Sequence, residues 1–223
     1  MGEFAQAFFN TGILAEAWPI LLQGLWRTIQ LSALVVPLGL GAGLALALLS
    51  TLRNPWVRWP LIAFVDTFRA LPPLVLLVFI YAGLPFAGLE LGAWGAVALG
   101  FLLNTGAYYG EILRAGIESV PRGQAEAARA LGLSRSRTMT LVVLPQAVRN
   151  VLPDLVSNTL EVVKLTSIAS VVALPELLFQ ARQAQSLTYN ATPIVAAAIL
   201  YLALLWPFVR LLSRLEHKRL AGR

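Results

Sequence analysis

No charged residue occurs between Arg27 and Arg53. That stretch is longer than the ~20 apolar residues needed to cross a bilayer. Wound into a helix, it would be apolar on every face, which suits a membrane span or the centre of a large protein. The remainder of the chain decides for the membrane. Of its 223 residues, 58% are hydrophobic and only 13% charged, against about 25% charged in a soluble domain. With a mean hydropathy of +0.74, too few polar side chains exist to build a water-facing surface. The fold class expected is therefore all-α: a polytopic membrane helix bundle, with residues 1–223 forming one transmembrane domain.

The first span is expected over Ile20–Leu49. Arg27 lies near its start, where a long side chain can snorkel. Pro37 is expected to bend it, and Gly39, Gly41 and Gly43 to permit close helix contact. Ahead of it, Phe4, Phe8, Phe9 and Leu14 can form one side of an interfacial helix that Asn10-Thr11-Gly12 interrupts. Glu3 and Glu16, with no basic leading segment, argue against a cleaved signal peptide. Asn54-Pro55 is a turn signal, and Trp56 and Trp59 suit the headgroup level. The second crossing is expected as a helix along the cytoplasmic interface, a break near Pro72-Pro73, then an apolar span to Leu89. Asp66 and Arg69, three apart, are spaced to pair.

The third span is expected over Leu91–Leu113, with Asn104, Thr105, Tyr108 and Tyr109 inside it and Glu111 and Arg114 at its inner end. The fourth, Asp154–Leu174, is the most polar. Pro153 suits its first turn, and it contains Ser157, Asn158, Thr159, Glu161, Lys164, Thr166, Ser167 and Ser170. A helix so furnished must turn that side toward other helices or a wet cavity. Pro175–Thr192 reads as an outer loop with a short helix, and Pro193–Leu212 as the fifth span.

About five crossings with the N-terminus outside and the C-terminus inside satisfy the positive-inside rule. Arg53, Arg58, Arg114, Arg122, Arg129, Arg135, Arg137, Arg149 and a tail with Arg210, Arg214, Lys218, Arg219 and Arg223 then fall inside, while Arg182 alone among the connecting loops falls outside. The net charge of +6 is explained by this retention and calls for no nucleic acid. With no cysteine and one histidine, His217, the chain offers no disulfide, no thiolate site and no histidine-based triad or metal cluster. It has no GxxxxGK[ST] phosphate loop either, so no cofactor is expected in this chain.

One polar stretch interrupts the apolar sequence. Residues 121–145 carry GQAEAARALGLSRSRTMTLVVLP, with Arg122, Arg129, Arg135 and Arg137, and read as helix, tight break, helix. Gly132 permits a left-handed backbone at the break. Ala127 and Ala128 give a small helical face that a partner groove can approach. Glu126 is spaced to pair with Arg122, with Arg129 or with a basic residue of a partner. The loop joins the two most polar spans by short connections, so motion in it would reach them directly.

Glu126-Ala127-Ala128, then Gly132, Val142, Leu144 and Pro145, reproduce a signature spacing. On these residues the chain resembles the permease subunits of bacterial ATP-binding cassette importers, with Val142 where isoleucine is usual. AYYGEILRAGIESVPRGQ (Ala107–Gln124), FRALPPLV (Phe68–Val75) and KLTSIASVV (Lys164–Val172) are similar to elements of the polar amino-acid subfamily. The resemblance covers Leu22–Leu178. It implies that residues 121–145 form a cytoplasmic coupling loop whose helix docks in an ATPase subunit. It also implies that a dimer of such ATPases, holding ATP and magnesium, drives alternating access. The further partners implied are a second permease, identical or homologous, an extracytoplasmic binding protein and a small polar amino-acid substrate. Two departures stand out: Ala70-Leu71 replaces Gly-Thr, and Leu165 replaces the aspartate of Lys-Asp-Thr-Ser.

The candidates for the substrate pathway are the polar groups of the spans. Lys164 could meet a carboxylate, although Glu161 three residues earlier is spaced to pair with it. Thr166, Ser167, Asn158 and Asn104 can supply neutral hydrogen bonds, and Arg69 is a further intramembrane charge. An ATPase-independent secondary transporter or channel is the alternative, opposed by the docking loop and by the lack of inverted repeats. An intramembrane enzyme is opposed by Glu111, Asp154 and Glu161, which match no metal-ligand spacing.

Overall fold

The computed structural model describes residues 2–52 and 54–221, apart from the side chains of 211 and 214–221. Arg53, Arg214, Lys218, Arg219 and Arg223, expected on the inner side, thus lie outside the described side chains. The described residues form helices and connections throughout: α1 (Gly2–Phe8), α2 (Thr11–Ser50), α3 (Pro55–Ala70), α4 (Pro73–Val78), α5 (Ala93–Glu118), α6 (Arg122–Ala130), α7 (Arg135–Thr138), α8 (Leu144–Asn150), α9 (Leu152–Leu165), α10 (Leu177–Thr188) and α11 (Thr192–Ala221). Residues 2–50, 152–172 and 192–210 are long and apolar enough to cross a bilayer, and the broken pair Pro55–Ala70 and Pro73–Ala87 makes a fourth if counted as one span. Helix α5 has 26 residues, about 39 Å of helix.

Several boundaries follow from single residues. Asn10 separates α1 from α2, and its Oδ1 accepts the Gly12 and Ile13 amides as an N-cap. Asn54 caps α3 in the same way through Trp56 N. Helix α2 continues through Pro37 without interruption. Pro145 has no N–H to give the Leu141 carbonyl, and the turn before it, Met139–Val143, is a π-turn in which Leu144 N reaches Met139 O. The same pairing recurs at Phe79–Gly83 ahead of Pro85.

The chain falls into two compact units, one of Met1–Val36, Pro73–Gly100 and Leu160–Leu211, the other of Pro37–Pro72, Phe101–Thr159 and Leu212–Arg223. In the first, Ala17 and Leu21 of α2 pack with Leu177, Ala181 and Ala184 of α10 and Ala196 and Ala197 of α11. The stretch expected as an outer loop with a short helix does contain a helix, α10, and that helix is packed, with its apolar residues four and three apart on one face. Its N-cap is Glu176, which is fully buried. The carboxylate accepts Leu178 N at 2.9 Å, Phe179 N at 2.8 Å and the Tyr201 hydroxyl at 2.7 Å, while Leu177 N donates to Thr28 Oγ1. Burial pushes the Glu176 carboxyl above its ordinary range, against the pull of these donors.

In the second unit, glycines let the C-terminal half of α2 lie against α5. A Cβ on Gly43 would stand 2.5 Å from Tyr109 Cβ and 2.7 Å from Gly110 N, and one on Gly106 would meet Ala42 Cβ at 2.9 Å. Gly39 likewise faces Thr105 and Tyr109, whereas Gly41 faces open space. Two of the three glycines expected at a helix contact thus make it. Their counterpart is a second four-residue glycine spacing, Gly106 and Gly110, on α5.

Candidate functional site

The loop 121–145 is built from α6, α7 and the π-turn. Helix α6 ends in a Schellman motif: Leu133 N donates to Ala128 O at 3.1 Å and Gly132 N to Arg129 O at 3.0 Å. Gly132 has φ +85°, the left-handed backbone expected there. Ser134 then caps α7 through Arg137 N. Val120, Val143 and Ala147 form the small core that holds the loop on the C-terminal end of α5, with Ile117, Ala125 and Met139 packed against it. Gly116 brings α5 and α8 together, since a Cβ there would be 2.9 Å from Ala147 O. Arg135 adds a tie to the end of α2, donating from Nη2 to Thr51 O at 3.1 Å.

Exposure sorts the motif residues. Glu126 and Ala127 face outward, and Leu131 is 82% exposed, but Ala128 is buried. Ala128 is thus part of the support beneath α6, and the small outward face consists of Gly123, Ala127 and Ala130, spaced four and three apart. Glu126 makes no ion pair with Arg122 or Arg129 among the described residues; its carboxylate stands free on the surface of α6. Leu144 is half-buried and Pro145 exposed, at the start of α8.

A second cluster lies where α3 meets α5. Helix α3 stops before Pro72, which leaves its last carbonyls without helical partners. Asn104 Nδ2 donates to Phe68 O at 2.8 Å and the Tyr108 hydroxyl to Arg69 O at 3.1 Å. Asn104 is 3% exposed, so the structure uses its amide nitrogen as a cap. Arg69 lies over the Tyr108 ring, 5.6 Å from its centroid, and its ion-pair partner is Glu111, at 3.9 Å. The expected Asp66–Arg69 pair is absent among the described residues, because Glu111 and the Tyr108 ring on the neighbouring helix draw the guanidinium away. Glu111 is in turn held by Arg114, which donates to both its oxygens at 2.9 and 2.6 Å and reaches Glu118 Oε1 at 2.6 Å. Tyr109, buried, shares a 2.8 Å hydrogen bond with Thr159, and the neighbouring Asn158 Nδ2 is buried without a partner.

The expected fourth span changes character at its midpoint. The α-helical form ends at Leu165 and a 3₁₀ helix runs from Thr166 to Val172, longer than the three or four residues usual for that form. Side-chain chemistry favours the change. Thr166 Oγ1 donates to Val163 O and Ser167 Oγ to Lys164 O, at 2.7 and 2.8 Å, competing with the backbone ladder. Ala173, at φ 57°, ends the segment. Lys164 Nζ bonds Glu161 Oε1 at 2.6 Å, with side chains 51% and 59% exposed, whereas Thr166 is fully buried. The expected i,i+3 pair forms, and it remains accessible. Sequence reasoning passed over Glu176, Tyr201 and the Glu111–Arg114–Glu118 chain; only the last, with its three- and four-residue spacing, was legible there.

Comparison with known proteins places this geometry. Residues 36–220 match the family model described as binding-protein-dependent transport system inner membrane component. The chain is similar to a probable amino-acid ABC transporter permease protein of Bacillus subtilis (strain 168), 36% identical over 197 residues, 88% of this chain and 87% of that protein. It is similar also to the L-cystine transport system permease protein of the same organism, 35% identical over 202 residues, covering 90% and 85%. Among solved structures, a chain of an amino acid ABC transporter crystallised with histidines superposes with a TM-score of 0.82 at 34% identity, covering 92% of this chain and 96% of that one. A chain of the inward-facing MetNI methionine ABC transporter shares the fold, with a TM-score of 0.74 at 21% identity over 87% and 94%.

Proposed function

The chain belongs to the binding-protein-dependent transport system inner membrane component family, and from that premise we propose that it carries a polar amino acid or a related small compound by alternating access. As a permease subunit of an ATP-binding cassette importer in the inner membrane, it is not itself an enzyme; the ATPase is a separate partner. The observation that carries the mechanism is the free carboxylate of Glu126. It stands on a short helix whose far side is anchored in the core of the loop and whose end is locked by Gly132. A lever needs one face free for its partner and the other fixed to what it moves, and α6 has both.

The full assembly is read as two permeases, identical or homologous, a dimer of ATPases holding ATP and magnesium, and an extracytoplasmic binding protein. The chain crosses five times with its N-terminus outside: through α2, the broken α3–α4 pair, α5, α9 with its 3₁₀ extension, and α11. This reading is supported by the basic residues it keeps inside. Residues 121–145 then face the ATPase. Glu126, Ala127, Gly132, Leu144 and Pro145 serve coupling directly and Ala128 supports them from beneath. Lys164 and Glu161, accessible and mutually paired, with Ser167 beside them, are read as contacts for the charged ends of an amino acid. Asn158 offers an unused donor. Asn104 and Arg69 tie α3 to α5, and Thr166 bonds within its own segment.

The test is purification with the neighbouring subunits and ATPase stimulation by a panel of liganded binding proteins. Glu126→Lys and Gly132→Pro are expected to abolish stimulated ATPase activity and uptake in a permease that still assembles. Uptake by the chain alone in liposomes would sink the proposal in favour of an ATPase-independent carrier.

A further inference from the structure

The coupling loop and the inner ends of α2 and α5 border an open cavity of about 680 Å³. Its lining is apolar at Ile117, Val120, Met139 and Val143, and basic at Arg114, Arg122 and Arg135, with Glu118 the one carboxylate among the lining residues. Arg114 is committed to Glu111 and Glu118. Arg135 gives one N–H to Thr51 O and keeps the rest of its fork, and Arg122 has no hydrogen bond or ion pair among the described residues. The Ser50 and Thr51 hydroxyls, also in the lining, already donate to the Ala47 and Leu48 carbonyls. The free donors of the cavity are therefore two guanidinium groups, which match a phosphate oxygen pair.

Position narrows the ligand. Four residues after Thr51 the chain enters α3, which exposes Trp56 by 87% and Trp59 by 71%. Tryptophans so placed mark the headgroup level of a bilayer. A second cavity, of about 280 Å³, shares Ser50, Arg114 and Glu118 with the first; Leu46, Leu61, Ile62 and Val65 form its apolar side, and Arg58, Asp66 and Glu111 also line it. In the first cavity the Arg122 and Arg135 guanidinium groups stand beside the apolar wall of Ile117, Val120, Met139 and Val143, and a basic cup with an apolar wall at headgroup depth has the chemistry of a phosphate ester with a hydrocarbon tail. We propose that the first cavity binds an anionic phospholipid of the inner leaflet, its phosphate on Arg122 and Arg135 and its tail along Ile117, Val120, Met139 and Val143. The lipid then bridges the coupling loop to the end of α2, beside the Arg135–Thr51 hydrogen bond, and stiffens the link that transmits motion.

This rests on the inward placement of the coupling loop proposed above. The chain has no native cysteine, so Gly123→Cys, at an exposed site, reports that placement separately, by labelling the permease without its ATPase in sealed right-side-out and inverted vesicles. The experiment uses the permease–ATPase complex in nanodiscs of phosphatidylcholine with graded phosphatidylglycerol, read by native mass spectrometry of retained lipid and by coupled ATPase rate. Wild type is expected to retain phosphatidylglycerol selectively and to be stimulated by it. The R122Q/R135Q variant should lose roughly tenfold to thirtyfold of that selectivity, the R122K/R135K variant should recover part of it, and R149Q, which removes an exposed charge outside the cavity, should leave it intact. Equal selectivity in wild type and R122Q/R135Q overturns the proposal. So does displacement of the lipid by inorganic phosphate alone, which would make the ligand a free anion.

Discussion

Alanine at Gly43 and at Gly41 should have opposite effects, although the two sites are two residues apart on one helix. A Cβ at Gly43 would lie 2.5 Å from Tyr109 Cβ, 2.7 Å from Gly110 N and 2.8 Å from Tyr109 C. Two of these atoms are backbone and cannot turn aside, so α2 and α5 must separate by about 1 Å to restore ordinary contact. Overpacking of this kind costs about 1–3 kcal/mol, offset by up to about 1 kcal/mol of helix propensity gained from alanine. Gly43→Ala should therefore destabilise by up to about 2 kcal/mol. Loss of the close approach also removes packing at Gly106, whose Cβ position is 2.9 Å from Ala42 Cβ. At Gly41 the same methyl meets nothing within 4 Å, and only the propensity gain of up to about 1 kcal/mol remains. Thermal inactivation of the solubilised complex, followed by fluorescence-detected size exclusion, measures both. If Gly43→Ala survives as well as Gly41→Ala, the glycine contact is not what holds these helices.

Three further perturbations separate structural from transport roles. Lys164→Met breaks a pair that is more than half exposed, so stability should change by less than about 1 kcal/mol; apparent affinity for substrate should fall roughly tenfold to a hundredfold, and unchanged uptake of every tested amino acid would remove Lys164 from the pathway. Asn104→Ala strands the Phe68 carbonyl and should cost about 1–3 kcal/mol in thermal stability, whereas a loss of affinity with stability intact would make Asn104 a substrate contact. Because the Glu176 carboxyl is raised by burial, the folded chain takes up this proton at higher pH than the unfolded chain. Its contribution to stability then falls as pH rises from the ordinary carboxylate value through the raised one, and Glu176→Gln should flatten that slope; equal slopes in both proteins would refute the assignment.

What could be read before folding, and what could not, divides by the range of the cause. The Gly132 break, the π-turn ahead of Pro145 and the caps at Asn10 and Asn54 depend on one residue and its nearest neighbours, so they are local chemistry written in local order. Gly39 and Gly43 share a helix face that Gly41 does not, and the four-residue spacing of Gly106 and Gly110 repeats on α5, so both halves of that contact were present as spacing. That they meet each other was not. Helix α10 was expected as a short helix, but its packing was obscured because polar residues dominate its composition, although Leu177, Ala181 and Ala184 mark an apolar face. Arg69 shows the limit most clearly. Its nearest acid in sequence, Asp66, has the right helical spacing, yet the guanidinium lies with Glu111 and Tyr108 of another helix. A local pair contributes only about 0.2–0.5 kcal/mol, less than an ion pair combined with an aromatic face. Charge spacing within one helix therefore identifies candidates for pairing, but wherever a second helix brings an acid and an aromatic ring within reach, it is the packing of helices that chooses the partner.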